Sequence, residues 1–210
     1  MAARCLLIIL AASVVLNSHS PAAASWKPVS SADGIQVYTQ PVEGSDMDAF
    51  RGVAVVDAPI ESVAAVINDI PAQPRWMASC TEARVIKELG ENAVLIYRVT
   101  KAPWPVSDRD MVIVSTAVIE PGGRRIVANF AATDNHGVPP RNGVVRIRKM
   151  RGQWILEKLS PDRTRVSLTV HSDPGGSLPP SVANRASRDI PLKTLRGLRR
   201  IVREPKYNTR

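Results

Sequence analysis

After Trp26, apolar positions recur mostly at every second residue. Ile35 and Val37 alternate with polar neighbours in residues 34–40, and Val53 and Val55 do so in residues 49–56, the pattern of strands with one buried face. The period then changes. Ile60, Val63, Ala64 and Ile67 fall at i, i+3, i+4 and i+7, with Asp57 or Ala58 available as a cap and Pro59 suited to a first turn, so a short helix is predicted here. Residues 71–80, with Pro74 and Trp76, are expected to form a short irregular or helical connection. A run of strands follows at 83–89, 93–100, 109–119, 125–132, 143–150, 154–159 and 164–172. The expected turns lie at Gly90-Glu91-Asn92, at Glu120 to Gly123, at Arg151-Gly152, and at Ser160-Pro161-Asp162. Turns this short between consecutive strands imply hairpins, hence an antiparallel meander.

The last element is a helix expected over residues 181–203. At 100° per residue, Ala183, Ala186, Ile190, Leu195, Leu198, Ile201 and Val202 gather on one half, while Arg185, Arg188, Lys193, Arg196, Arg199, Arg200 and Arg203 gather on the other. Pro191 removes a backbone donor, so a kink is expected there. The basic half reads equally as a solvated face or as a surface for anionic membranes. A sheet of this length curves and needs its concave side covered, and the terminal helix is the only element large enough to do that. Small residues on or beside its inner side (Ala183, Ala186, Ser187, Thr194, Gly197) would leave apolar space, which is either a ligand site or a cost.

Composition narrows the setting. The chain opens with Arg4, an apolar run from Leu6 to Leu16 and small residues ending at Ala22-Ala23-Ala24, the order of a secretory leader, with cleavage expected after Ala24. The expected organisation is a leader at 1–24, one domain at 25–205 and a tail at 206–210. The location expected is the periplasm or the exterior. Cys80 is the single cysteine after the leader, so stability must come from a core and not from an internal disulfide. Lys plus Arg number 28 against 19 Asp plus Glu, and removing Arg4 leaves 27 − 19 = +8. In an exported protein that excess points to a transient anionic membrane surface as partner, not to nucleic acid.

Five stretches carry a family likeness: PWPVSDRDM at 103–111, ATD at 132–134, GVVR at 143–146, DPGGSLP at 173–179, and Asn184 with the downstream Ile190-Pro191. In this order and spacing, the chain resembles the START family of lipid-transfer domains, named for the steroidogenic acute regulatory protein. The resemblance implies an α+β helix-grip fold, a curved antiparallel sheet around a long C-terminal amphipathic helix enclosing a hydrophobic cavity. It also implies one bound lipid or sterol-like molecule and no catalysis. Gly175 and Gly176 relax the junction before the terminal helix, and Pro179-Pro180 suit its start. Residues 134–142 match in position the family's lid loop, with Asp134, His136, Gly137 and Pro139 as its candidate residues. Some sterol-carrying relatives place an acid on the strand corresponding to 93–100 and pair it with an arginine. Here Tyr97, Arg98 and Ser115 stand in those neighbourhoods.

Tyr97, Arg109, Val144, Arg146, Asn184, Ile190 and Leu195 are the candidate lipid-binding residues, and Arg196, Arg199, Arg200 and Arg203 the candidate membrane-facing ones. Arg109 reads equally as a headgroup ligand or as a bridge to backbone carbonyls, and a half-buried Tyr97 is more often structural. His136 beside Asp134 lacks a nucleophile nearby in sequence, so it reads as a surface residue. His19, His136 and His171 lack metal-ligand spacing, and no metal or cofactor is expected. The chain is expected to be a monomer and not an enzyme. An envelope enzyme on the same grip, hydrolase- or cyclase-like, and an interaction domain with a filled core are the competing readings.

Overall fold

The structure, a computed structural model of the 210-residue chain, describes residues 25–134 and 137–208. The expected leader and His136 therefore lie outside the described residues. Strands β1 (Lys27–Ala32), β2 (Ile35–Gln40) and β3 (Ala49–Val56) lead into helix α1 (Ile60–Asn68) and a 3-10 segment, Ile70–Arg75. Then come β4 (Cys80–Gly90), β5 (Ala93–Thr100), β6 (Asp108–Ile119), β7 (Arg125–Ala132), β8 (Val144–Arg146), β9 (Lys149–Ser160) and β10 (Arg163–Asp173). Helices α2 (Pro180–Ser187) and α3 (Ile190–Ile201) close the fold. The ten strands form one sheet in the order β1-β2-β3-β10-β9-β7-β6-β5-β4, antiparallel throughout, with β8 pairing in parallel with the start of β6.

Register assigns the two faces. Gly52, Leu168, Trp154 and Ala128 are successive partners across β3, β10, β9 and β7, and Gly52 meets α3, so this row faces the helices. Alternation puts Phe130, Ala132, Ile113 and Ile96 on the same inner face. The row Arg51, Thr169, Gln153, Asn129, Thr116 has the opposite parity and faces away. The main core lies between the inner face and the helices, where Ile35, Val56, Ile60, Val63, Leu195 and Leu198 are at most 1% exposed.

Helix α3 lies close to its neighbours. A Cβ on Gly52 would stand 2.8 Å from both Leu195 Cδ1 and Pro191 Cβ, and one on Gly197 would stand 1.9 Å from the Trp76 carbonyl oxygen. The Thr194 hydroxyl accepts the Ala78 amide N–H at 3.3 Å, fixing the same contact through a hydrogen bond.

The fold departs from the sequence expectation in three places. Strand β1 was absent from the expected pattern because KPVSSA carries little alternation, and its pairing comes from β2 alone at the sheet edge. The turn expected at Arg151-Gly152 does not exist. Strand β9 runs straight through it, because Gly152 is mid-ladder, where a Cβ would lie 2.3 Å from the Phe130 ring and 2.5 Å from the Thr169 carbonyl; its glycine makes room for the ring. The expected strand at 143–150 is accordingly split between β8 and the start of β9. Finally, the terminal helix is two helices. Pro191 sits in the first turn of α3, where its missing N–H is tolerated, and the break falls just before it at Arg188-Asp189. Ala183 is buried as expected, whereas Ala186, also expected inward, is exposed.

Replacing Gly197 by Ala forces α3 off the Trp76 carbonyl. Gly197→Ala is expected to lose about 2 kcal/mol or more of unfolding free energy, measured by denaturant titration. An unchanged midpoint would show that the contact is not tight.

Candidate functional site

A second apolar cluster lines the inner face beyond α3. Ile70, Cys80, Ala83, Ile96, Met111, Ile113, Ile147 and Met150 are buried together, with Met77, Val94, Phe130 and Val170 partly buried against them. Arg98 follows Ile96 by two positions and is the register partner of Met111, so alternation turns it into this wall. Its Nε and Nη2 donate to one atom, Gln73 Oε1, at 3.0 and 2.6 Å. No carboxylate lies within ion-pair distance of it among the described residues. Burial draws its pKa below the usual arginine value, and burial pushes the neighbouring Cys80 thiol above its own. The indole N–H of Trp76, 3% exposed, meets no acceptor.

Two residues named from sequence hold α2 and the junction before it. Arg109 is 6% exposed, and its guanidinium donates to the carbonyls of Ser107, Pro174 (3.4 Å) and Gly175 (3.5 Å). Of its two sequence readings, the structure therefore presents the bridge to carbonyls, which ties β6 to the junction before α2. That junction turns through Gly175 and Gly176 at φ +64° and +73°, a conformation that favours glycine. Asn184 on α2 accepts from the Asp48 amide at 3.0 Å and donates to the Asp46 carbonyl at 3.1 Å. Helix α2 is thus pinned to the loop between β2 and β3, with a glycine pair at one end and a helix break at the other. Leu195 is fully buried against β3, whereas Ile190 is 37% exposed.

Other candidates lie on the opposite face. Tyr97 points away from the helices, and its hydroxyl donates to Asp110 Oδ2 at 3.0 Å. Arg146 binds the same carboxylate through two N–H groups at 2.7 and 2.9 Å, with side-chain exposures of 13% for Arg146 and 1% for Asp110. Burial and the Asp110 bond raise the Tyr97 pKa, and the Asp110 bond raises that of Arg146. Arg146 also donates to the carbonyls of Val138 and Pro139 at 3.3 and 3.2 Å, so it holds the loop that follows β7. Val138 packs on Leu95, Tyr97, Val99 and Val112, and Asp134 pairs with Arg148 at 3.0 Å. Gly137 turns at φ +69°, and half-buried Val144 begins β8. The described part of the expected lid loop is thus fastened to the outer face.

The basic residues of the terminal helix divide. Arg196 pairs with Asp33 at 2.7 Å, Arg199 donates to the carbonyls of Val55 (3.0 Å) and Asp33 (2.5 Å), and Arg200 donates to the Arg75 carbonyl at 2.7 Å. Arg203 is exposed. A separate open trough of roughly 680 Å³ crosses the outer face, bordered by Trp26, Arg51, Arg151 and His171. The Arg51 guanidinium stacks on the Trp26 ring at 4.3 Å. Among the described residues, no three His, Cys, Asp or Glu side chains converge as a metal site.

Sequence reasoning placed Arg98 on the right strand but assigned it no role, and it overlooked Gln73. The signal was present in the alternation of Ile96, Arg98 and Thr100, which sets the guanidinium on the side opposite Tyr97.

Comparison with known proteins adds the following. The START domain family model matches residues 11–207. An uncharacterized protein of Pseudomonas aeruginosa is 34% identical over 191 residues, spanning 91% of this chain and 93% of its own length. The crystal structure of a STAR-related lipid transfer protein (fragment 25–204) from Xanthomonas axonopodis superposes with a TM-score of 0.78 at 34% identity, covering 85% of this chain and 99% of that one. The phosphatidylcholine transfer protein of Rattus norvegicus is 25% identical over 175 residues, 79% of this chain and 78% of its own.

Cutting the Arg146 clamp leaves Asp110 as an unpaired buried charge. Arg146→Met is expected to cost about 3 kcal/mol or more and to raise amide hydrogen exchange in residues 137–142. Full retention of stability and protection would place the loop's anchorage elsewhere.

Proposed function

The chain belongs to the START domain family, and from that membership we propose that it binds a lipid or sterol-like ligand and transfers it in the cell envelope without catalysing a reaction on it. The observation that carries this reading is the apolar cluster on the inner sheet face, which includes Ile96, Met111, Ile113 and Met150, together with a terminal helix that breaks at Arg188-Asp189. A wall of Ile, Met and Val side chains takes hydrocarbon from water at about 25 cal/mol per Å² buried, which makes a lipid the matching occupant.

Helix α2 supplies the gate. It is hinged at Gly175-Gly176 and at the break before α3, and Asn184 latches it to the loop at Asp46 and Asp48. Release of those hydrogen bonds lets α2 lift while α3 stays packed on β3. The ligand then exchanges through the opening, with the described conformation as the closed member of the pair.

The setting belongs to the same proposal: a leader removed after Ala24, a monomer in the periplasm or outside the cell, and transient contact with an anionic bilayer. The formal charge of +8 left after removal of Arg4 supports that contact. Because Arg196, Arg199 and Arg200 are engaged with the fold, the exposed Arg203, Arg185 and Arg188 are left to face lipid headgroups. Among the described residues, no helix is long and apolar enough to cross a membrane.

Native mass spectrometry of the protein purified from its own envelope is expected to show one bound lipid per chain. A protein that emerges empty and takes up nothing from vesicles would contradict the carrier reading. Asn184→Ala is expected to speed release of a fluorescent lipid roughly five- to thirtyfold, from the loss of two hydrogen bonds, with stoichiometry unchanged. An unaltered release rate would remove the latch.

A further inference from the structure

Arg98 brings a positive charge to the apolar inner wall with no opposite charge beside it. Two of its nitrogens end on the neutral Gln73 Oε1, while Gln73 itself is turned toward the Ile67 carbonyl at 3.5 Å. Its Nη1 has no acceptor among the described residues. The side chain is partly buried on the inner face, between its strand neighbours and Gln73, and keeps accessible surface.

Other buried arginines of this chain are compensated. Arg146 has the two Asp110 oxygens, and Arg109 has carbonyls of Ser107, Pro174 and Gly175. A guanidinium stays charged at any physiological pH, and burying one without a counter-charge is strongly unfavourable. A planar donor fork left half empty at an apolar wall is complementary to a bidentate oxyanion that carries hydrocarbon.

We propose that Arg98 is the headgroup receptor of the interior: it binds the oxyanion, carboxylate or phosphate, of an acidic lipid whose hydrocarbon lies along Ile96, Met111 and Ile113. Gln73 fixes the orientation of the guanidinium through the pair of bonds to its amide oxygen and leaves Nη1 for the ligand. The apolar wall selects a lipid over a free anion, because inorganic phosphate would gain the charge contact alone. A neutral sterol would leave the arginine uncompensated. This inference rests on the lipid-carrier reading and names its ligand class.

The test compares matched acidic and neutral ligands on the full chain. Fluorescence titration with cis-parinaric acid and with its methyl ester at neutral pH is expected to show the acid bound about tenfold or more tightly. Uptake from phosphatidylcholine vesicles containing either phosphatidic acid or diacylglycerol of the same chains is expected to favour phosphatidic acid. Arg98→Met is expected to abolish the acid preference while leaving ester affinity in place, and Arg98→Lys to keep part of it. Equal binding of acid and ester by the wild-type chain overturns the proposal whether or not the variants fold. So does an acid preference that survives Arg98→Met, or inorganic phosphate binding alone as tightly as the acid. Uptake of none of the lipids overturns the carrier reading itself and this inference with it, so the two failures are distinguishable.

Discussion

Helix α3 is held against β3 and against the connection at Trp76 through two positions that lack a side chain. At Gly52 the strand comes within van der Waals reach of Leu195 and Pro191, and at Gly197 the helix backbone meets the Trp76 carbonyl, closer than any Cβ would permit. Everything packed beneath α3 follows from that approach. Leu195, Leu198 and Ile201 reach full burial, Thr194 takes the Ala78 amide, and Trp76 comes to lie 6.2 Å from Trp154. The helix is thereby committed to β2 and β3, and the apolar cluster on the inner face of β4 to β6 lies beyond it.

That asymmetry separates anchored parts from movable ones. The anchored end is hydrocarbon packed on hydrocarbon. The end proposed to move, α2, is held by polar contacts at its margins: Asn184 on the loop backbone, Arg109 on the junction carbonyls and Asp173 Oδ1 on the Gly175 amide at 2.9 Å. Such bonds can be exchanged for water at small net cost, whereas lifting α3 would expose a core. On the other side of the sheet, the Tyr97-Asp110-Arg146 network is buried and mutually satisfied, so it stiffens the loop after β7 instead of freeing it.

Much of this was legible in the chain. The strands of the meander, helix α1 and the basic and apolar halves of α3 followed from period and turn residues, and the START likeness followed from PWPVSDRD and DPGGSLP together. What could not be read was set by contacts distant in sequence. Gly152 looked like a turn because nothing local reveals that the Phe130 ring needs its place. Tyr97 and Arg146 looked ligand-directed because the face each strand presents is decided by register with its neighbours, and Asp110, the group both serve, is read only once β5, β6 and β8 are aligned. Asn184 was expected to bind lipid, and its bonds to the backbone at Asp48 and Asp46 could not be read because those partners lie 136 or more residues away. Arg98 carried its signal in plain alternation, yet its significance depends on the lack of a nearby acid, which only the folded chain displays.

A crystal structure of the protein carrying the lipid that co-purifies with it tests the central point most directly. Electron density for hydrocarbon is expected on the inner face, against Ile96, Met111 and Ile113 beneath α2. Density confined to the outer trough beside Trp26 and Arg51, with side chains filling the inner face unchanged, would contradict the interior as the ligand site.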